Sequence, residues 1–107
     1  MIHVNSLLTY QQEVAKFNQR ESLIYGHLII SGRAMTDREI KEGLFGVTSD
    51  QNKARPRITE LKKRGWLVEV GKVKDKVTGK SVRRVRALSA EERWQAAQEP
   101  AQQMELI

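Results

Sequence analysis

The chain has no cysteine, two prolines and only two each of tryptophan, tyrosine and phenylalanine among its 107 residues. The lack of cysteine excludes disulfides and thiolate metal sites, and it is typical of a reducing compartment. The few aromatic residues predict a mainly aliphatic core. No apolar run approaches the length of about 20 residues that a membrane-spanning helix needs, and the first ten residues do not resemble a signal peptide. We therefore expect one domain in the cytoplasm, without contact to a membrane.

The sequence also lacks the usual signatures of a catalytic or cofactor site. It has no cysteine nucleophile and no glycine-rich phosphate loop, and neither His3 nor His27 has a partner at metal-ligand spacing. Its serines and threonines fall at predicted caps and turns, where a structural role is sufficient. We expect a protein that is not an enzyme, with no catalytic residue, no bound metal and no cofactor.

Positive charge is concentrated in one third of the chain. The formal net charge is +6, yet residues 53–86 alone carry +10, while residues 1–52 carry −1 and residues 87–107 carry −3. Such concentration is typical of a surface that binds a polyanion. The alternative is an ordinary solvated basic surface. We favour polyanion binding because the charge coincides with a helix-and-hairpin pattern described below.

Two amphipathic helices are predicted in the first third of the chain. Apolar residues at helical spacing predict a first helix over residues 6–17, ending near Asn18. This helix either covers the core of its own domain or pairs with a second copy of the chain. A second helix is predicted over residues 21–31, with Gly32 ending it. Its expected apolar stripe consists of Leu23, Ile24, His27, Leu28 and Ile30.

The third predicted helix, over residues 35–44, has the clearest local signature. Thr36 and Glu39 form a capping box, in which each side chain bonds the exposed backbone amide of the other residue. Met35 and Ile40 are spaced as the hydrophobic staple that often accompanies such a box. A brief turn over residues 46–49 follows.

A basic helix is predicted within residues 49–64, where Ala54, Ile58 and Leu61 share one inward face. Pro56 leaves two alternatives for its start. Either the helix begins near Ala54 with Pro56 in its first turn, or it begins near Asp50 and bends.

Two strands are predicted next, over residues 66–73 and 81–88, joined by a turn-forming loop. The second strand does not alternate cleanly, which indicates a bulge or an inward face set by Val85 and Ala87 alone. A second capping box, Ser89 with Glu92, opens a helix to about Gln98, with Trp94 as its expected anchor.

Taken together, residues 21–88 resemble the small winged helix-turn-helix proteins of phages and prophages. The resemblance rests on a PR-x-x-EL-x-x-x-G-x-L-x-E core that leads into a G-K-x-x-D-x-x-TG-K wing. It implies an α+β fold with a three-helix core and a two-stranded basic β-hairpin wing. The N-terminal helix in residues 1–20 is extra to this domain. A C-terminal helix over residues 89–99 and a tail over residues 100–107 follow it.

The resemblance further implies binding to double-stranded DNA, as a phage transcriptional regulator or a replication-associated factor in the bacterial host cytoplasm. The basic helix would lie in the major groove, where Asn52 can pair with adenine and Arg55 or Arg57 with guanine. The wing would hold a flanking phosphate or reach the minor groove. A palindromic target would require a homodimer. The predicted DNA-binding residues are Ser49, Asn52, Lys53, Arg55, Arg57, Thr59, Lys63, Lys72, Lys74, Lys76, Lys80, Arg83 and Arg84.

The last five residues suggest a second partner. Gln103, Met104, Leu106 and Ile107 resemble the short motif with which bacterial polymerases and repair proteins dock on the sliding clamp, although its last position is more often phenylalanine. Such a pattern also arises by chance, and terminal apolar residues can fold back onto a domain. The alternative function is therefore a winged-helix protein-interaction module in a replication or regulatory assembly, docking a clamp or another replication protein through this tail.

Overall fold

The protein is described by a computed structural model that covers residues 4–98. Within that range it is an α+β domain of five α-helices and one antiparallel sheet of three strands in the order β1-β3-β2. The α+β class is confirmed. The helices are α1 (Val4–Ala15), α2 (Gln19–Ser31), α3 (Asp37–Phe45), α4 (Arg55–Lys63) and α5 (Ala90–Gln98), and the strands are β1 (Met35–Thr36), β2 (Leu67–Lys74) and β3 (Ser81–Ala87).

The junction of α1 and α2 differs from the prediction. Helix α1 ends at Ala15 and does not reach Asn18, because Asn18 is the N-cap of α2. The Asn18 side chain accepts the Glu21 amide at 2.8 Å, and the Glu21 carboxylate accepts the Asn18 amide at 3.0 Å. A capping box requires extended backbone at its first residue, so α1 must stop before it. Helix α2 consequently begins two residues earlier than predicted.

The core confirms the inward face of α4 but corrects that of α2. Ala54, Ile58 and Leu61 are fully buried, as predicted. In α2, by contrast, Leu23 is 42% exposed and Ile30 is 87% exposed. The buried face of α2 consists of Glu21, Ile24, Tyr25 and Leu28, so the predicted stripe was turned partly toward the wrong side.

The core is mainly aliphatic, as expected, but its aromatic residues form one cluster. Trp66 lies at its centre, with ring centroids 4.8 Å from Phe17, 5.5 Å from Tyr25 and 5.6 Å from Tyr10. The Tyr25 hydroxyl donates to the Leu88 carbonyl oxygen and lies 2.7 Å from the Tyr10 hydroxyl. Burial, together with the hydrogen bond to Tyr10, raises the pKa of Tyr25. The cluster thus joins α1 and α2 to the chain that follows β3.

Helix α5 is attached through Arg93. Its guanidinium lies over the Trp66 ring, 3.4 Å from the centroid, and donates to the Gly65 carbonyl oxygen at 2.6 Å and to Glu13 at 3.1 Å. Trp94, the expected anchor, is only partly buried and is not among the residues packed on the core. The Ser89–Glu92 capping box that opens this helix is confirmed.

The connection from α3 to α4 follows the first of the two alternatives for Pro56. One 3-10 turn (Gln51–Lys53) precedes α4, which begins at Arg55 with Pro56 in its first turn. The Thr36–Glu39 capping box that starts α3 is confirmed. The turn between the helices is held by buried Lys41, whose Nζ donates to the Val47 carbonyl oxygen at 2.9 Å and to that of Ser49 at 3.2 Å.

The hairpin contains a β-bulge in its first strand. The second strand follows the predicted alternative without a bulge, because Val85 is buried and Ala87 packs on the core. Glu69 pairs with Val85 and Lys72 pairs with Arg83, so Val70 and Gly71 together oppose Arg84. Gly71 has φ +126°, a conformation that L side chains rarely adopt. Strand β1 pairs with the other edge of β3, so the hairpin is tied to the start of α3.

Candidate nucleic-acid interface

The two flanks of α4 face different parts of the protein. On one flank the Arg55 Nε lies 3.6 Å from an oxygen of Asp37, the first residue of α3, and Thr59 bonds a side chain of β3. On the other flank Arg64 donates to Glu21 of α2 at 2.7 Å. Arg57 belongs to this second flank and lies 3.5 Å from Glu60, one turn along. Of the two arginines predicted to read guanine, only Arg55 is therefore on the hairpin side.

Arg83 joins the hairpin to both α3 and α4. Its Nε and Nη2 each lie 3.1 Å from one carboxylate oxygen of Asp37, and Nη2 also donates to the Thr59 hydroxyl at 2.9 Å. The side chains of Arg83 and Asp37 are 21% and 12% exposed. Two predicted DNA-binding residues, Arg83 and Thr59, are thus bonded to each other, and Arg83 is also paired with Asp37, which was not among the predicted site residues.

The bulge decides which way the lysines of β2 point. Directly paired residues of an antiparallel ladder project to the same face of the sheet. Lys72 pairs with Arg83, whose side chain reaches α3 and α4, so Lys72 lies on the helical face, and Lys74 follows two residues later. Had Val70 and Gly71 both been part of a regular ladder, the alternation from Glu69 would put both lysines on the opposite face. Gly71 thus gathers charge on the side of α4.

Arg84 and Arg86 lie on the other face of the sheet by the same alternation. Arg86 is paired with Glu92 of α5 at 2.7 Å. Arg84 is half-buried over the bulge, with Nη2 3.8 Å from the position that a Cβ on Gly71 would occupy. Its buried Nε has no hydrogen-bond partner within residues 4–98. The structure therefore places Arg84 away from the other predicted wing contacts.

The predicted residues of the turn before α4 also differ in whether their side chains are available to a partner. Ser49 donates its hydroxyl to the Gly46 carbonyl oxygen at 2.6 Å, so it stabilises the turn. Asn52 and Lys53 are exposed on the 3-10 turn. Asp50 caps that turn, because its side chain accepts the backbone N–H of Asn52 at 2.8 Å. The side-chain amide of Asn52 is not used in this bond and is available.

All six predicted lysines are exposed without an ion pair among the residues that the structure describes. The neighbouring Lys62, in contrast, pairs with Glu69 at 3.0 Å and lowers the pKa of that carboxyl. The six lie on the 3-10 turn, α4 or the hairpin, and they are Lys53, Lys63, Lys72, Lys74, Lys76 and Lys80.

The loop between β2 and β3 is folded around Asp75. Its carboxylate accepts the Thr78 hydroxyl at 2.8 Å and the Arg38 Nε at 3.0 Å. The hydrogen bond from the Thr78 side chain, with help from Arg38, holds the pKa of Asp75 below its ordinary range. This acid is therefore ionised and neutralised by Arg38 of α3, so the charge of the neighbouring Lys74, Lys76 and Lys80 is left without local compensation.

A cleft of about 320 Å³ separates the hairpin from the starts of α3 and α4. It is open to solvent, and its charged walls come from three elements that are distant in sequence. Its two carboxylates are paired with its arginines, Asp75 with Arg38 and Asp37 with Arg83 and Arg55. The charged and hydroxyl side chains that line it are Thr36, Asp37, Arg38, Arg55, Thr59, Asp75 and Arg83.

The remaining predictions concern the C-terminal tail, the membrane and metal binding. The tail residues Gln103, Met104, Leu106 and Ile107 lie outside the described range. No helix within residues 4–98 is long and apolar enough to cross a membrane, and no group of three acids or histidines there is arranged to hold a metal ion. No family model, curated protein or solved structure matches the chain.

Proposed function

We propose that this chain is a double-stranded DNA-binding protein of the winged helix-turn-helix type. In this proposal α2, α3 and α4 form the three-helix core, and α4 enters the major groove. The β2–β3 hairpin is the wing and lies on the adjoining backbone or in the minor groove. The order of elements supports this assignment, because a capped α3, a short turn and a basic α4 lead directly into the hairpin.

The observation that carries the proposal is the direction of the wing lysines. The bulge at Gly71 turns Lys72 and Lys74 toward the face on which Arg55 and Thr59 of α4 also lie. A strand with regular alternation would have divided this charge from the helix. Cations on adjacent elements of one face match the spacing of a groove and its flanking phosphates, whereas a merely soluble surface has no need of this arrangement.

The chemistry of the two elements differs. Lysines of the wing neutralise phosphates and release counterions, so the affinity should fall steeply with salt, by roughly 0.9 log unit per contact for each tenfold rise in salt. Such contacts position the protein but carry no sequence information. Sequence is read by side chains that form two hydrogen bonds with one base, for which Asn52 and Arg55 have the donors and the exposure.

The biological role that we propose is that of a phage-type transcriptional regulator or a replication-associated factor. It rests on the motif resemblance of residues 21–88 and not on geometry, since winged helices serve several roles. Docking of a sliding clamp by residues 103–107 would favour replication over simple repression.

The test measures the binding of a random-sequence 25-base-pair duplex by fluorescence anisotropy at two salt concentrations. The double variant Lys72→Ala/Lys74→Ala should bind at least several-fold more weakly than the unaltered protein. The slope of its log affinity against log salt concentration should be shallower by the equivalent of up to two phosphate contacts. Lys16→Ala/Arg20→Ala is the matched control, because it removes the same charge from the α1–α2 connection. No salt-sensitive binding by the unaltered chain, or equal losses in the two variants, would refute the proposal.

A further inference from the structure

The pairing of Arg55 distinguishes it from the other cations of α4. Its side chain is 59% exposed, while its Nε lies 3.6 Å from Oδ2 of Asp37. Asp37 is itself nearly enclosed, and Arg83 holds both of its carboxylate oxygens. Arg55 therefore combines an exposed guanidinium with a fixed carboxylate beside its Nε edge.

The contact between Arg55 and Asp37 is an ion pair and not a hydrogen bond, because 3.6 Å is too long for one. A guanidinium carries one N–H on Nε and four on its two terminal nitrogens. Within residues 4–98 the contact with Asp37 is the ion pair that Arg55 makes, so the terminal nitrogens remain available as a fork. Guanine presents O6 and N7 in the major groove, and a fork of two N–H groups matches both acceptors. A side chain held in place before binding loses less conformational entropy when it binds.

Arg57 lacks these features. Its terminal Nη1, one of the nitrogens that would form the fork, lies 3.5 Å from Glu60, which is itself on the surface. It belongs to the flank of α4 that faces α2, where Arg64 and Glu21 meet. Its side chain is 35% exposed.

We infer that Arg55 is the residue with which this protein selects guanine in a DNA duplex, and that Asp37 is its positioning residue. The inference rests on the proposed function and narrows it. It resolves the alternative between Arg55 and Arg57, and it gives Asp37 a role beyond its pair with Arg83. Asp37 touches no base in this account. It restricts the directions that the Arg55 guanidinium takes, and so it contributes to selectivity more than to affinity.

The experiment begins with a duplex enriched by the unaltered protein from a library with a randomised core. Each guanine of that duplex is then replaced in turn by 7-deazaguanine, which lacks the N7 acceptor. Arg55→Lys keeps the charge of the side chain but removes the fork. Arg57→Lys makes the same change on the other flank and is the matched control. Asp37→Asn removes the support, and circular dichroism melting identifies any variant that fails to fold.

We expect the unaltered protein and Arg57→Lys to lose about 5- to 150-fold in affinity when one particular guanine is modified. Arg55→Lys should be insensitive to that modification, and its loss of affinity for random duplex should be no larger than that of Arg57→Lys, because both changes keep the charge. Asp37→Asn should lose the same sensitivity, but it also breaks the pair with Arg83. Arg83→Met is therefore its control, because it breaks that pair, keeps the Asp37 carboxylate beside Arg55, and should remain sensitive to the modified guanine. Equal loss of sensitivity in Asp37→Asn and Arg83→Met would show that Asp37 acts only through Arg83.

Three results would overturn the inference. One is the same sensitivity to modified guanine in Arg55→Lys as in the unaltered protein. Another is loss of that sensitivity in Arg57→Lys alone, and a third is duplex binding without any sequence preference. In each of these cases the proposed function survives. If the unaltered protein binds no duplex at all, the proposed function itself fails, and the two failures are thereby distinguished. Should Asp37→Asn not fold, the comparison of the two lysine variants still decides the role of Arg55.

Discussion

The Arg83 guanidinium and the Asp37 carboxylate meet side by side, with Nε and Nη2 each 3.1 Å from a different oxygen. This fork joins the middle of β3 to the first residue of α3 across 46 positions of sequence. Because Nη2 also donates to Thr59, the same guanidinium touches α4. This largely buried ion pair therefore helps to set the angle between the hairpin and α4, together with the β1–β3 pairing and the Lys62–Glu69 ion pair.

Removal of one member of this pair should be costly. We expect Arg83→Met to lower the free energy of unfolding by about 3 kcal/mol, because the enclosed carboxylate of Asp37 would lose its main partner. Arg55 remains nearby and limits the loss. In urea denaturation the double variant Asp37→Asn/Arg83→Met should lose much less than the sum of the two single variants. Additive losses would show that the pair is not coupled.

The bulge glycine should control both stability and binding. Gly71→Val forces a branched side chain into a conformation with φ +126°, and we expect a loss of about 1–3 kcal/mol in thermal unfolding. If the strain removes the bulge, the strand alternates regularly from Glu69 and turns Lys72 and Lys74 to the opposite face. Gly71→Val should therefore also weaken duplex binding, up to the loss that Lys72→Ala/Lys74→Ala shows, whereas deletion of Gly71 keeps Lys72 opposite Arg83 and should bind as the unaltered protein does. Retention of full affinity by Gly71→Val would contradict the importance of the bulge.

Two helical glycines should respond differently to alanine. A Cβ on Gly26 of α2 meets nothing within 4 Å, so Gly26→Ala should stabilise the protein by about 0.5–1 kcal/mol through helix propensity. A Cβ on Gly43 of α3 would lie 2.9 Å from the His27 Nε2. Gly43→Ala should therefore gain less or lose stability, because the imidazole must move. Equal shifts in melting temperature would show that His27 does not restrict this position.

Acid should destabilise the fold through the acids of its capping boxes. The Ser89 amide, assisted by Arg86, lowers the pKa of Glu92. Burial would raise the pKa of Glu21, but the Asn18 amide and the charge of Arg64 outweigh it and lower that pKa as well. A depressed folded-state pKa gives stability that is present above the ordinary value of 4.5 and lost as the pH falls through the folded value.

Urea denaturation between pH 7 and pH 2.5 would measure this loss. The midpoint should be steady down to about pH 5 and fall below it. Glu92→Gln should be less stable than the unaltered protein at pH 7, and the difference should shrink toward pH 2.5. A difference independent of pH would mean that the charge of Glu92 contributes nothing.

The tail prediction can be tested separately from DNA binding. Deletion of residues 103–107 should abolish binding to a purified bacterial sliding clamp in surface plasmon resonance and leave duplex affinity unchanged. Gln103→Ala with Leu106→Ala should reproduce the deletion, since these are the positions that match the motif. Clamp binding that survives both changes would exclude a docking role for this segment.

Local signals in the sequence predicted the elements well. The capping boxes at Thr36 and Ser89 placed two helix starts correctly, since such a box depends only on residues three apart. Asn18 and Glu21 form a third box of the same kind, which a continuous apolar pattern from the preceding helix obscured. The side to which Ile30 turns, in contrast, depends on what covers α2 and not on spacing within it.

The site was less predictable because its partners are distant in sequence. The basic character of the hairpin was plain from composition. Nothing local shows that Arg83 is occupied by Asp37, or that Arg86 is paired with Glu92, while Lys74 has no ion pair within residues 4–98. The broken alternation of Val82 and Val85 left two alternatives open, a bulge or an inward face of Val85 and Ala87. The second alternative is confirmed, and the bulge lies in the partner strand at Gly71.

The contact of Arg93 with Trp66 also bears on the order in which the elements of the domain fold. Glu13 and Arg93 are 80 positions apart, whereas the contacts among α2, α3 and α4 join close segments of chain. Closing a long loop costs more entropy than closing a short one, and that cost comes before any contact offsets it. The three inner helices should therefore associate first, and α5 should close over the aromatic cluster last. Hydrogen exchange would then find α5 the first of the helices to open.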